Sequence, residues 1–330
     1  MSGRVVHPAS QGVGVARASG LRRPRFSLDP VYQGALAASA GAVFLVVALI
    51  VYEVARGSAL SMSTLGWGFL VQTDWDPVQN HYGVLPYVYG TVVSSLLALV
   101  LAVPLGIGSA VFLAELASRR VGSIVSFVME LLAAIPSIVY GIWGFFVLAP
   151  WLRTVLEPWL IANWGAIPLF QGTPFGIGML NAGIVLAIMI LPTIVSISRE
   201  VLLATPRTLR EASLALGATR AEAIGVAVDA AKPGILGAVI LALGRALGET
   251  MAVTMVIGNT NRISASLIDP AATMSSVIAN EFAEATSELY LSALIQIALV
   301  LFAVTILVNA LARALVYFTT GGRRDVGAAA

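Results

Sequence analysis

From Tyr82 to Ala114 the chain carries no charged side chain. A stretch of that length and apolarity exceeds the roughly 20 residues that a helix needs to cross a hydrocarbon core about 30 Å thick. Inside hydrocarbon every backbone N–H and C=O must be satisfied within the segment, so such a stretch has to be a helix. Its apolar centre covers about 87–114, and five more runs behave alike: 33–52, 121–149 interrupted only by Glu130, 178–198, 234–257 with Arg245 and Glu249 inside, and 289–312. The pattern predicts an all-α polytopic membrane protein with six transmembrane helices. Composition agrees, because 58% of residues are hydrophobic and 11% charged, with a mean hydropathy of +0.91. A soluble domain carries about 25% charge, which excludes a soluble enzyme. The first run is too long for a signal-peptide core and has no convincing cleavage site, so it reads as a retained helix.

Six spans put both termini on one side, and cations choose the side. Fifteen of the nineteen flank one face: five arginines in the tail, Arg119 and Arg120, five residues between 199 and 232, and Arg313, Arg323 and Arg324. Arg56, Arg153 and Arg262 lie on the other face, and Arg245 lies in the membrane. Both termini are therefore expected in the cytoplasm of a bacterial cell, with the protein in its cell membrane. Trp67, Trp75, Trp151, Trp159 and Trp164 fall in the outer loops, where tryptophan ordinarily sits at headgroup level. The basic pI of 9.1 reflects arginines flanking spans and points to no nucleic-acid partner. With no cysteine, and with His7 and His81 far apart in polar segments, no metal site is expected. No internal repeat is visible, which counts against transporters built from duplicated halves.

The connection between the fourth and fifth spans, 199–234, is the most informative part of the chain. Leu209, Ala212 and Leu216 recur at helical spacing, as do Ile224 and Val228. Gly217 stands where the first short helix would end, and Thr219 with Glu222 three residues on forms a capping box for the next. Two short amphipathic helices around a glycine turn make a knob on the cytoplasmic face. On spacing alone it is equally an ordinary interfacial loop.

Glu211-Ala212-Ser213, followed three residues later by Gly217, resembles the EAA motif of ABC importer permeases. The resemblance implies that Glu211, Ala212 and Gly217 belong to a helix pair that docks into a groove of an ATPase subunit. Asp229-Ala230 stands where that family usually has Leu-Pro, and a proline comes only at Pro233, which puts the exit geometry of the second helix in question. Three further stretches are similar to phosphate-specific permeases of the PstC type: Trp75-Asp76-Pro77 with Tyr82-Gly83-Val84-Leu85-Pro86 and Gly90-Thr91, Glu130 to Gly141, and Gly244-Arg245-Ala246-Leu247-Gly248-Glu249-Thr250. The likeness covers roughly 60–317. It implies a type I ABC importer permease fold and import of inorganic phosphate. Its implied partners are a second permease, two copies of an ATPase subunit and an extracytoplasmic phosphate-binding protein, in contact with membrane lipid. The organisation expected is a disordered cytoplasmic tail at 1–32, a first transmembrane helix at 33–56, an extracytoplasmic loop at 57–86, a permease core at 87–317 and a short tail at 318–330.

Arg245 lies eleven residues beyond Gly234, roughly 16 Å along a helix and so near the midplane. A charge there is costly and is by default functional. Glu249 is one turn further, and Glu130, nine residues past Val121, reaches a depth of roughly 13 Å. A pair of Arg245 with either acid is geometrically open. Such a pair is either a structural salt bridge or a device holding an arginine whose guanidinium fork suits an oxyanion. Arg245, Glu249 and Glu130 are thus the candidate substrate pathway. Gly244 and Gly248 form a small-xxx-small pair that permits close helix approach. Pro104, Pro136 and Pro192 fall within spans and predict kinks.

No catalytic residue is visible. Lys232, the sole lysine, follows Ala231 and belongs to no Walker A loop, so this chain binds no cofactor and MgATP belongs to the partner ATPase. The rival readings are a permease for sulfate or molybdate, a secondary transporter using Glu130, Glu249 and Arg245 as a proton relay, and a membrane scaffold. The last has no reason to bury charge at the midplane.

Overall fold

The computed structural model describes residues 29–320; of the tails expected over 1–32 and 318–330, residues 29–32 and 318–320 are helical and the rest lie outside the described residues. The chain divides into two compact units, residues 1–50 and 51–330. Helix α1 (Asp29–Gly57) opens the first and has no charge between Asp29 and Glu53, so it is apolar on every face, as a membrane span is.

The second unit begins with α2 (Ala59–Leu65), α3 (Gly68–Val71) and a small antiparallel hairpin, β1 (Trp75–Asp76) on β2 (His81–Tyr82), with Trp75 opposite Tyr82. Then come α4 (Leu85–Val111), prolonged by a π-helical turn at Phe112–Leu116, and α5 (Arg119–Ala134). Helix α6 (Ser137–Trp143) continues through π-helical turns at Gly144–Leu148 and Leu152–Leu156, which flank α7 (Ala149–Trp151), into α8 (Glu157–Trp164). The remaining helices are α9 (Met179–Ala204), α10 (Arg207–Ala215), α11 (Arg220–Leu247), α12 (Met251–Val256), α13 (Met274–Glu281) and α14 (Glu288–Thr320).

Six stretches are long and apolar enough to cross a membrane: Tyr32–Gly57, Leu85–Leu116, Ser137–Trp164, Met179–Ala204, Arg220–Leu247 and Glu288–Phe318. The expected number holds, and two boundaries change. The third stretch opens at Ser137 and not near the expected 121, because Pro136 holds Ile135 in extended backbone (ψ 128°) and separates α5 from it. Packing shows how the two pieces share the crossing. A Cβ on Gly122 would lie 3.6 Å from the Arg199 guanidinium, and one on Gly144 would lie 2.8 Å from Val185. The segment 122–144 thus runs antiparallel to α9 from residue 199 up to residue 185, and the chain beyond Ala149 continues past the start of α9. The fifth stretch starts at Arg220, fourteen residues before the expected Gly234, and ends at Leu247, short of Ile257.

Helix α9 is the centre of the core, with 67% of its apolar window buried, against 28% in α4 and 33% in α11. Val185, Leu186, Met189, Ile190 and Ile194 are sealed by α4 and α11. Its first free N–H groups, on Gly178, Met179 and Leu180, donate to the carbonyls of Val256, Asp269 and Leu267 at 3.0, 3.2 and 2.7 Å. A helix start buried in this way needs such acceptors.

At that end of the molecule Trp75, Tyr82, Tyr87 and Tyr290 form an aromatic box with ring centroids 5.1–6.3 Å apart. Glu281 is its polar hub, accepting from the Trp75 indole N–H at 2.8 Å and from the Tyr290 hydroxyl at 2.7 Å. Burial pushes the Tyr82 hydroxyl above its ordinary pKa. Trp75 is therefore packed inside the protein and is not an exposed lipid-facing ring: it is 8% exposed, whereas Trp67 is 85% exposed. Hairpin pairing turns Trp75 inward, and its N–H finds an acid that sequence spacing does not reveal. Glu281→Ala should lower stability by about 1–3 kcal/mol for each donor left bare, read as thermal unfolding of the purified protein. Glu281→Gln, which keeps an acceptor oxygen, should lose less than half as much.

Candidate functional site

Helix α10 and the turn after it form an exposed knob. Gly217 takes φ +89°, and the N–H groups of Gly217 and Ala218 donate to the carbonyls of Leu214 and Ser213 at 3.0 and 3.1 Å. This double bond pattern closes the C-terminus of α10 around a left-handed residue that glycine adopts without strain. The next helix opens on the expected capping box, with the Thr219 N–H donating to Glu222 Oε2 at 2.7 Å and the Glu222 N–H to Thr219 Oγ1 at 3.4 Å. Glu211, Ala212 and Gly217 are all exposed on this knob. The second helix is not short, contrary to expectation. With Asp229-Ala230 in place of a breaker, α11 runs unbroken from Arg220 to Leu247 through Pro233, and Lys232 pairs with Asp229 at 2.9 Å across that point.

One residue pair that mounts the knob was not anticipated. The Arg210 Nε donates to both oxygens of Glu115 at 3.0 and 3.1 Å, and its Nη2 to Oε1 as well. The same guanidinium donates to the carbonyls of Thr205 at 3.0 Å and Leu202 at 2.9 Å. Arg210 thereby satisfies last-turn carbonyls of α9 while holding the acid that ends the extension of α4. The side chains are 19% and 9% exposed, so the pair is largely out of water. Beside it lies a cleft of about 270 Å³ lined by Ala114, Glu115, Leu203, Arg207, Arg210 and Glu211. The available signal was that Glu115 is the first charge after the apolar stretch ending at Ala114. Ninety-five residues separate the partners, and no local pattern links them.

Contacts along α9 set the depth of Arg245. A Cβ on Gly234 would sit 2.4 Å from Val201, and the Val256 carbonyl meets the Gly178 N–H at 3.0 Å. Residues 234–256 therefore run antiparallel along α9 from 201 to 178, and Arg245 falls halfway in sequence between those two contacts. Arg245 stands in the last turn of α11, half-buried, within Coulombic reach of Tyr140. The Tyr140 hydroxyl donates to the Leu132 carbonyl at 2.7 Å, next to the break at Ile135–Pro136. Two interrupted helices thus bring their ends together at mid-depth.

The structure does not form the expected ion pair. Among the described residues neither Glu249 nor Glu130 comes within 4.0 Å of Arg245. Glu249 lies in the gap after α11, not on the same helical face, and its carboxylate caps α12 by accepting the Ala252 N–H at 3.2 Å. Its carbonyl accepts from the Ser275 hydroxyl at 2.7 Å. Glu130 is exposed on α5, eight residues beyond Gly122 and so roughly 12 Å further along the bilayer normal. Gly244 and Gly248 are not a close-packed pair either: a Cβ on Gly244 would meet nothing nearer than Asn309 at 3.9 Å, and Gly248 is exposed.

The stretch of sequence that builds the knob, the long helix after it and the interrupted spans matches a known family. Residues 102–317 fit the family described as "Binding-protein-dependent transport system inner membrane component". The phosphate transport system permease protein PstC of Mesorhizobium japonicum is 47% identical over 295 residues, covering 88% of this chain and 90% of its own. PstC of Haemophilus influenzae is 42% identical over 294 residues, covering 88% and 93%. The "probable" PstC of Methanocaldococcus jannaschii is 38% identical over 236 residues, covering 71% and 75%. The chain belongs to the binding-protein-dependent transport permeases: it is a multi-pass membrane subunit of an ABC transporter, and the proton-relay and scaffold readings fall away.

Glu115→Gln should destabilise the protein by about 2–4 kcal/mol, because it strands the Arg210 charge out of water. Thermal unfolding of wild type, Glu115→Gln and the exchanged pair Glu115→Arg/Arg210→Glu checks this. The exchange should not restore stability, since a glutamate at 210 cannot donate to the carbonyls of Leu202 and Thr205.

Proposed function

We propose that this chain is the permease subunit through which an ATP-driven importer passes inorganic phosphate. The observation that carries the reading is Arg245: a guanidinium at mid-depth, where two helices are interrupted, with no carboxylate bound to it among the described residues. A planar fork left free in a low-dielectric setting is suited to bidentate contact with a tetrahedral oxyanion. The name of the relatives, phosphate transport permease, selects phosphate among oxyanions.

In this reading the α10 end faces the cytoplasm of a bacterial cell, as the count of span-flanking cations in the sequence leads one to expect. Glu211, Ala212 and Gly217 meet one of two copies of an ATPase subunit, which binds MgATP. A related second permease completes the pathway, and an extracytoplasmic binding protein delivers phosphate to the end where α13 and the hairpin lie. ATP binding closes the ATPase pair, the knobs follow, and the permeases open outward to receive the anion; hydrolysis returns them. Glu249 fixes the start of α12 beside Arg245. Glu130, an exposed acid at mid-depth, faces the pathway or the second permease, because lipid would not tolerate it.

Arg245→Ala should reduce phosphate uptake to background in proteoliposomes while the complex still co-purifies. Loss of assembly instead would make Arg245 structural. Arg245→Lys, a point charge without the fork, should recover little of the uptake. ATPase activity of the assembled complex should rise with phosphate-loaded binding protein and not with the sulfate-loaded form; stimulation by sulfate would reassign the cargo. Glu211→Arg should abolish that stimulation.

A further inference from the structure

At the end of the third stretch remote from α10 lies an open cleft of about 460 Å³, lined by Phe145, Phe146, Pro150, Arg153, Thr154 and Phe175. Its walls are aromatic and aliphatic, and Phe146 and Phe175 are 68% and 54% exposed. Its one charged lining residue is Arg153. Glu157, four residues on, would be its natural ion-pair partner on an α-helix. The π-helical turn at Leu152–Leu156 makes the residue five positions on the bonded neighbour and rotates Glu157 away. Glu157 is buried instead, its carboxylate taking the Gly176 N–H at 2.8 Å. Among the described residues Arg153 forms no ion pair and no side-chain hydrogen bond. Its stem is held in place: Gly176, at φ +73°, brings the backbone so close that an added Cβ would lie 3.0 Å from Arg153 Cβ.

An unpaired cation above an exposed apolar cleft complements an amphipathic anion. Trp151, Trp159 and Trp164 surround this end and are 49%, 54% and 49% exposed, as residues at headgroup depth are. We propose that the cleft binds one anionic glycerophospholipid, its phosphate on Arg153 and an acyl chain along Phe145, Phe146 and Phe175. Thr154 contributes shape only, since its hydroxyl already donates to the Pro150 carbonyl at 2.8 Å. A free inorganic anion would leave the aromatic walls bare, which is why the lipid is preferred. The site requires only insertion in a membrane and is independent of the cargo.

The test uses the assembled transporter in vesicles of equal phosphatidylglycerol and phosphatidylcholine, extracted in mild detergent and weighed by native mass spectrometry. Wild type should retain phosphatidylglycerol at least fivefold over phosphatidylcholine. Arg153→Gln should bring the ratio to parity with assembly unchanged, Arg153→Lys should restore the preference, and Phe146→Ser should lower total retained lipid. An unchanged ratio in Arg153→Gln overturns the proposal. The chain has no cysteine, so Thr154→Cys carries a unique photoprobe. Crosslinking to lipid supports the site, and crosslinking to a neighbouring subunit overturns it by making the cleft a protein interface.

Discussion

The packed spans of the second unit are registered against α9, and the arrangement depends on that helix staying buried and correctly seated. Small residues let its neighbours approach. Gly106 of α4 faces Ile194 so closely that a Cβ would lie 2.7 Å away, Gly183 of α9 admits Leu97 at 2.4 Å, and Gly234 of α11 meets Val201. In lipid no hydrophobic force drives helices together, so such close van der Waals contacts supply the attraction. The N–H groups that α9 exposes at its start are filled by carbonyls from α12 and from the loop before α13. The far end is filled by Arg210. Both ends of the central helix are therefore tied to the segments that carry the candidate functions.

Those ties link the two candidate sites physically. Arg210 joins α10 to α9 and, through Glu115, to α4, so the knob is mounted on two spans. From the knob α11 passes without interruption to Arg245. The break that follows, at Gly248 to Thr250, meets the other break, at Ile135–Pro136, through α6 and α12 packed together. A displacement entering at α10 has a continuous covalent and packed route to the arginine.

Much of this was legible in the sequence where local rules decide. Apolar length fixed the number of spans, because roughly 20 residues per crossing is a hard requirement. Gly217, Thr219 and Glu222 marked both sides of the turn, because capping is settled within a few residues. The helix that carries Arg245 starts and stops elsewhere than expected, which leaves the arginine in its last turn. Hydropathy could not show that Pro136 divides one crossing while Pro233 leaves a helix whole. The difference lies in what surrounds each proline, since Ile135 finds extended backbone and Asp229-Ala230-Ala231-Lys232 favours helix. Pairs remote in sequence were invisible: Arg210 with Glu115 and Trp75 with Glu281 are chosen by the packed fold. The expected partner of Arg245 failed for a related reason, because the helix end turned Glu249 toward the backbone of α12.

The unbroken α11 also has a mechanical meaning. Its tight contact at Gly234 against Val201 divides the helix into two arms, about 21 Å to Arg220 and about 16 Å to Arg245 on a rise of 1.5 Å per residue. A tilt about that point that carries the knob end sideways by about 4 Å swings Arg245 by about 3 Å in the opposite sense. A side-chain contact is made or lost over that distance, and a bulkier residue at 234 would push the helix off Val201 at the point where the two arms meet.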